Sequence, residues 1–269
     1  MNIYAIKTAN GSQRKMKRQV KAMQTVTNGI VLREVKVGEA DRILTILTPD
    51  LGVISASAKG SLRLKNKLFS GCGLFCYSEF TMTQGRNTWF LEEAVPQKKF
   101  HGLSSSIEGM SLAMYLAELV TTIPPAPAES QAQLRLLLNC LYVIAESKKP
   151  LPQVKAVFEL RFLAQGGYMP DLVCCKNCGR YDGMDFYLDV QDGTMLCREC
   201  AAEAGHPTNL DEGALSAIRY ICLTEDKKIF QYSLSPGSMA LLGKVSEQYA
   251  INHTEKPLRS LEFLHTVMR

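Results

Sequence analysis

The stretch LVCCKNCGRYDGMDFYLDVQDGTMLCREC, residues 172–200, crowds five of the chain's nine cysteines into one short window. Cys175-Lys176-Asn177-Cys178 and Cys197-Arg198-Glu199-Cys200 are two C-x2-C pairs with 18 residues between them. A turn in each pair sets two sulfurs about 4 Å apart, and two such knuckles close a tetrahedron with Zn–S near 2.3 Å. DFYLDV and TMLC read as strands joined at Asp192-Gly193, a hairpin that folds the second knuckle back onto the first. Gly179 supplies the positive-φ position that a knuckle commonly needs. The spacing predicts a zinc ion held by Cys175, Cys178, Cys197 and Cys200. Four protein ligands leave no place for water, so its role is structural. A thiol redox couple at Cys175 and Cys178 is the competing chemistry, but it belongs to a βαβ context that this region lacks. Cys174 offers only a C-x3-C and reads as a spare thiol, while His206 is either a substitute ligand or a solvated loop residue. Cys72, Cys76, Cys140 and Cys222 read as small apolar residues.

Disulfides are disfavoured by the expected compartment. No apolar run approaches the roughly 18 residues that span a bilayer, and no signal-like apolar region opens the sequence, so a soluble cytoplasmic protein is expected. There, clustered cysteines serve as metal ligands or catalytic groups. The net charge of +5 is local: residues 1–23 hold six of the 31 Lys and Arg and none of the 26 acids, which leaves 25 basic against 26 acidic residues elsewhere. That head has no sustained apolar face and is read as a disordered basic extension rather than an organelle address.

From Thr25 onward the pattern is β. Short runs at Gly29–Val37, Ile43–Thr48, Val53–Ala58, Leu74–Thr83 and Thr88–Ala94 are divided by turn signals at Gly38, at Pro49, Asp50 and Gly52, and at the QGRN of Gly85 and Asn87. Five short strands in this length suit a small OB-type barrel. After Ser104–Ser106 the period becomes helical, with Ile107, Met110, Met114, Ala117 and Val120 on one stripe, stopping at Pro124-Pro125. A second helix carries Leu134, Leu137, Leu138, Leu141 and Ala145; a third, from Pro152 to Gln165, turns Val154, Val157, Phe158 and Phe162 inward. Helical pattern resumes from Asp211 to Cys222, from Gly237 to Asn252 and in PLRSLEFLHTVMR. The expected α+β organisation is an N-terminal OB-type barrel over 24–102, a C-terminal helical domain over 103–170 and 205–269, and a four-cysteine zinc module over 171–204 inserted in it.

Residues 51–78 contain no acid and carry Lys59, Arg63, Lys65 and Lys67. In an extended SAKGSLRLKNKLF the last three would share one side, forming a row for phosphates with Phe69 near it for stacking. Arg33, Lys36, Arg42 and Arg86 are further candidates from neighbouring strands and turns. A solvated loop is the plain alternative, and the barrel context favours nucleic-acid binding. The four histidines are scattered, and no G-x-S-x-G, phosphate loop or H-E-x-x-H is present, so a binding protein rather than an enzyme is expected.

GIVLREVKVGEADRILTILTPDLGVISASAKG, the basic RLKNK, the helical middle, CKNCG with CREC and the final KPLRSLEFL together resemble RecO, the bacterial recombination mediator family, over about residues 24–269. VGEADRILTILTPDLG is the most specific stretch. The resemblance implies an OB domain, a helical domain and an inserted zinc module, with single- and double-stranded DNA bound through Lys59, Arg63, Lys65, Lys67, Arg33 and Arg42. It also implies strand annealing and partnership with RecR, with RecA and RecF indirectly, and with SSB, whose acidic tail carries an aromatic tip. Such a tail needs an apolar pocket with a basic rim, and Lys155 and Arg161 of QVKAVFELRF are candidates, although the apolar residues between them also read as core. The resemblance further implies a nucleoid-associated bacterial protein without membrane attachment. A zinc-ribbon RNA-binding or transcription accessory protein on the same barrel is the alternative function.

Overall fold

The computed structural model describes residues 24–86 and 88–268; the basic extension of residues 1–23 and Asn87 of the QGRN turn lie outside the described residues. Five strands, β1 (Gln24–Val37), β2 (Asp41–Thr48), β3 (Gly52–Ala58), β4 (Tyr77–Gln84) and β5 (Trp89–Lys98), close a barrel in the order β1-β2-β3-β5-β4. Two contacts close it: β1 runs antiparallel to β4 from Gln24↔Thr83 to Ile30↔Tyr77, and β3 meets β5 in a short parallel contact at Ala56↔Trp89 and Ser57↔Phe90. The long β1 serves both neighbours, β4 with its first half and β2 with its second, and its register shifts at a bulge between Val31 and Arg33. Gly29 lies at a close approach of β1 to β2: a Cβ there would stand 2.7 Å from Ile46 Cγ2 and 2.9 Å from the Leu47 carbonyl. Val31, Leu44, Ile46, Ile54, Phe80 and Met82 fill the interior with the alternation expected of strands.

Several strand boundaries differ from the sequence reading: β2 starts at Asp41 rather than Ile43, β5 runs on past Ala94 to Lys98, and two strand starts shift further. β1 begins at Gln24 rather than Gly29, because QTVTN pairs with β4 while Val26 remains exposed, so no hydrophobic alternation marks it. β4 begins at Tyr77 rather than Leu74, because Phe75 has φ +56 and breaks the extended chain.

Helices follow a 3-10 turn at His101–Ser105. These are α1 (Ile107–Thr122), α2 (Pro127–Ala145), α3 (Leu151–Gln165) and, after the cysteine hairpin and its short α4 (Arg198–Glu203), α5 (Glu212–Leu223), α6 (Pro236–Asn252) and α7 (Arg259–Val267). The hairpin comprises β6 (Asp185–Asp189) and β7 (Thr194–Cys197); β8 (Leu210–Asp211) comes after α4, and β6 is central in the resulting three-stranded sheet. Ser106, Asp211 and Ser235 cap α1, α5 and α6 by accepting backbone N–H groups at 2.8, 2.7 and 3.0 Å. The stripe predicted for α1 is only part of its core face: Ala117 and Val120 are buried and Met110 packs against the core. Ile107 and Met114 are exposed, whereas Leu112, Tyr115, Leu116 and Leu119 are buried, because α1 packs against α2, α3 and α7 and is covered on most sides.

α3 is the central helix, touched by α1, α2, α5 and α6. That position corrects the docking site expected in QVKAVFELRF. Lys155 is only 7% exposed, with Nζ 2.7 Å from Glu159 Oε1 and 2.8 Å from Glu247 Oε2. Arg161 is turned inward onto the carbonyls of Ile221 and Cys222 and the carboxylate of Asp226. A lysine whose charge is already held by two carboxylates inside a helix bundle cannot form the rim of a surface pocket. Glu159 also accepts from Tyr115 Oη at 2.6 Å and Ser246 Oγ at 2.7 Å, so this buried charge network ties α1, α3 and α6 together.

A second core, separate from the barrel interior, joins one side of the barrel to the rest of the molecule. Ile30, Leu32 and Leu47 of the barrel, the helix interiors, and Phe186, Leu188 and Met195 of the hairpin belong to a single buried cluster. The cysteine hairpin is therefore packed into the helical body.

Candidate metal centre and nucleic-acid interface

The four predicted ligands converge. The Sγ atoms of Cys175, Cys178, Cys197 and Cys200 all lie within 4.8 Å of one another, with Cys178 and Cys197 3.6 Å apart. Tetrahedral thiolates at about 2.3 Å from a central ion would be separated by about 3.8 Å, so the set fits a metal ion. The backbone makes the first knuckle: the Cys175 N–H donates to Arg180 O at 2.8 Å and the Gly179 N–H to Cys175 O at 2.9 Å, with Gly179 at φ +74. Lys176 N–H then donates to Met195 O at 2.9 Å, docking that knuckle on β7. β7 ends at Cys197, and α4 starts at the next residue and carries Cys200. The strands are joined by a four-residue connection, Val190–Gly193, closed by Gly193 N–H donating to Asp189 O at 2.8 Å. Arg180 pairs with Glu199 across the two knuckles and holds that carboxyl down to about 2.

The thiols are chemically unequal. Burial raises Cys175, but N–H groups of Cys197, Cys178 and Asn177 outweigh it and hold the thiol at about 6. Cys200 is pushed up by the neighbouring sulfurs of Cys178 and Cys197, and Cys197 is raised first by burial. Sulfurs this close resist joint ionisation until a cation stands among them. Cys174 and His206 lie outside the set; His206 stacks on Tyr187, with ring centroids 4.6 Å apart. Cys72, Cys76, Cys140 and Cys222 are buried, and burial pushes the Cys72 and Cys222 thiols up to about 12.

The basic segment is a loop rather than a strand. From Lys59 to Cys76 the chain passes through successive tight turns, with N–H groups of Arg63, Asn66 and Phe69 donating to the carbonyls three residues earlier at 2.9–3.0 Å. The single-sided row expected of Arg63, Lys65 and Lys67 is thus replaced by a compact loop from which all three, and Lys59, project into solvent. None of the four is in an ion pair among the described residues. Arg33, Lys36 and Arg86, the last in the β4–β5 turn, are also exposed, and Arg33 lines a groove shared with α1 and α7.

Arg42 is not a surface cation. It is 6% exposed, and its guanidinium donates to Ser61 Oγ (3.0 Å), Ser61 O (2.7 Å), Cys72 O (3.1 Å) and Glu34 Oε2 (2.7 Å). These partners lie near both ends of the basic loop. Asp41 adds a bond from Gly60 N–H at 2.7 Å, and Leu62 N–H donates to Ala40 O at 2.9 Å. EADR, within the most specific stretch of the sequence, is therefore the clamp that folds the loop. A planar donor buried among carbonyls suits Arg and not Lys.

Two features are invisible in the sequence. Phe90, at the start of β5, is 41% exposed and stands beside Lys59, whose Nζ is 6.0 Å from the ring centroid. A groove of about 570 Å³ also opens where the end of β5 meets α2, with Phe100, Leu136 and Tyr142 lining it and Lys98, Arg135 and Lys227 at its edge. Lys98 and Lys148 stand 5.8 and 4.3 Å from the Tyr142 ring centroid. Lys98, Arg135 and Lys227 reach it from three distant places in the chain, which no local window reveals.

No helix among the described residues is long and apolar enough to cross a membrane. Residues 23–100 match the family described as Recombination protein O N terminal, and residues 104–262 match Recombination protein O C terminal. The chain is 32% identical over 243 residues to a protein named DNA repair protein RecO from Acetivibrio thermocellus, covering 90% of this chain and 97% of that one. Proteins of the same name from Symbiobacterium thermophilum and Alkaliphilus metalliredigens are 29% and 27% identical, over 89% and 86% of this chain and 96% and 94% of theirs. With a closed five-stranded barrel leading into helices that enclose a four-cysteine cluster, the chain belongs to the RecO family of DNA repair proteins.

Proposed function

We propose that this protein binds single- and double-stranded DNA, anneals complementary strands, and with RecR helps RecA replace SSB during recombinational repair, RecF acting indirectly. The observation that carries this reading is the Arg42 clamp: it buries one arginine to present Lys59, Arg63, Lys65 and Lys67 without acidic partners on the barrel surface. Four cations on one loop lower the repulsion between two phosphate backbones, so complementary strands can meet while the protein makes and breaks no bond. The barrel over 24–102 is then the DNA unit, and the helical body over 103–170 and 205–269 carries the partner contacts. The module over 171–204 holds one structural zinc ion through Cys175, Cys178, Cys197 and Cys200, which stiffens the hairpin and supplies no catalysis.

The groove beside Tyr142 supports the SSB contact. Its apolar lining suits an aromatic tip and its lysines and Arg135 suit an acidic tail, which Lys155 and Arg161 do not. The test is annealing of complementary strands coated with SSB, without ATP. Annealing should proceed on full-length SSB, fail on SSB lacking its tail, and fail likewise with Arg135→Glu combined with Lys227→Glu. Equal rates on full-length and tailless complexes would remove the mediator role and leave a DNA-binding barrel.

A further inference from the structure

Phe90 is an exposed aromatic held in place from two sides. Its ring covers the β4–β5 turn at Gly85, where a Cβ would stand 2.6 Å from Phe90 Cε2 and 3.3 Å from Cδ2, a space that glycine leaves open. On another side stands Lys59, the first cation of the basic loop, 6.0 Å from the ring centroid. The strand register explains this neighbour: Ser57 of β3 pairs with Phe90, so the chain reaches Lys59 two residues later. Next along β5, Leu91 points inward and is buried, which leaves Phe90 on the outer surface. Scattered exposed hydrophobics are ordinary. A ring fixed over a turn and flanked by a loop of cations without acidic partners is a different case.

We propose that Phe90 is a base-stacking platform, on which one base of a single strand lies while Lys59 and its loop hold the adjoining phosphates. The inference rests on the DNA-binding reading and adds the feature that separates single strands from duplex. Oligonucleotides approach OB barrels across strands 2 and 3 and the loop between strands 4 and 5, and Phe90 sits where β3 and that loop meet. A base at van der Waals distance from the ring leaves its phosphates free to reach the ammonium groups. The same ring has no use for a duplex, whose bases face each other. Acids mark where this surface ends: Glu92 is turned to Gln24 and Thr83 further along β5, so the strand's path leads from Phe90 toward Lys59 and Arg86.

The test uses the full chain, a labelled oligothymidylate, an abasic strand of equal length and a duplex. Phe90→Leu, which keeps an apolar cover over Gly85, should weaken oligothymidylate binding about tenfold, at the lower end of what one base–aromatic stack contributes. Its salt slope should stay unchanged, its duplex affinity should stay within about twofold, and Phe90→Tyr should restore tight binding. Lys59→Ala should do the converse and lower the slope by about 0.7. The unaltered protein should prefer the oligothymidylate to the abasic strand, a comparison that needs no variant and so survives any misfolding. Equal affinity of the unaltered protein for these two strands, or equal losses on duplex and single strand for Phe90→Leu, would overturn the stacking role alone. No binding of any strand by the unaltered protein would overturn the DNA-binding reading and the stacking role with it.

Discussion

Replacing Arg42 by alanine should unfold the basic loop while removing no surface charge. The guanidinium makes four hydrogen bonds, three to loop atoms of Ser61 and Cys72 and one to Glu34, all with a side chain 6% exposed. Charge-assisted bonds are worth about 1.5–3 kcal/mol each in isolation, but four of them do not add, because water enters once the loop opens. The better measure is the cost of leaving the buried Ser61 and Cys72 carbonyls without a donor, about 1–3 kcal/mol each, since Glu34, 31% exposed, is rehydrated. With a urea m-value near 2–3 kcal/mol/M, the transition midpoint should fall by roughly 1–2 M. Trp89 is the chain's one tryptophan and sits half-buried at the start of β5, so its fluorescence follows the barrel. Trypsin supplies a second readout, since Arg63, Lys65 and Lys67 should become rapid cleavage sites only when the turns that hold them are lost. DNA affinity should fall although every exposed cation remains. Arg42→Lys should restore little, because one ammonium cannot reach both ends of the loop as a planar fork does. A midpoint shift under about 0.3 M, with trypsin resistance unchanged, would refute the clamp.

Protein purified without chelator should contain one zinc per chain, and Cys197→Ser should abolish it and lower the thermal midpoint of the helical body, since the hairpin shares the helices' core; metal analysis and melting curves decide it. Alanine at Lys59, Arg63, Lys65 and Lys67 together should flatten the salt dependence of single-strand binding, lowering the slope of log K against log salt by up to about 3 while leaving the urea midpoint intact. The buried network predicts stability lost at both ends of the pH range. Although burial opposes it, Lys155 holds Glu247 below its ordinary 4.5, with His265 helping, so that contribution is present above pH 4.5 and is lost as pH falls through the depressed value. Burial lowers Lys155, but Glu159 and Glu247 outweigh it and raise the group above 10.5; its contribution is full below pH 10.5 and is lost as pH rises past the folded value. Glu247→Gln should flatten the acid limb of a pH series of urea titrations.

The parts legible in the sequence are those written in local chemistry. Two C-x2-C pairs, a glycine after the first and Asp192-Gly193 between them specify a four-sulfur cluster because each knuckle is built within a few residues. Ser106 and Asp211 announce helix starts in the same local way. The barrel strands are readable wherever one face is buried, as at Leu44 and Ile46, and unreadable at Gln24–Asn28, where pairing with β4 proceeds with little apolar burial.

Charged residues are misplaced by sequence pattern for a different reason. Charge alone marks Arg42, Lys155 and Arg161 as exposed, yet each is held by partners far away in the chain: the Cys72 carbonyl for Arg42, the Glu247 carboxylate for Lys155 and the Asp226 carboxylate for Arg161. The desolvation cost of a buried cation is met only in three dimensions, so a linear pattern treats it as solvated. At Arg42 this misplacement bears on function. The cations that reach solvent, from Lys59 to Lys67, stay exposed because a fifth cation is buried beneath them and holds the loop's ends. On the proposed DNA-binding reading, this arginine would govern DNA affinity without touching DNA. Salt slope separates the two roles, falling when a loop lysine is lost and holding when a positioning arginine is lost, since only the former releases counterions.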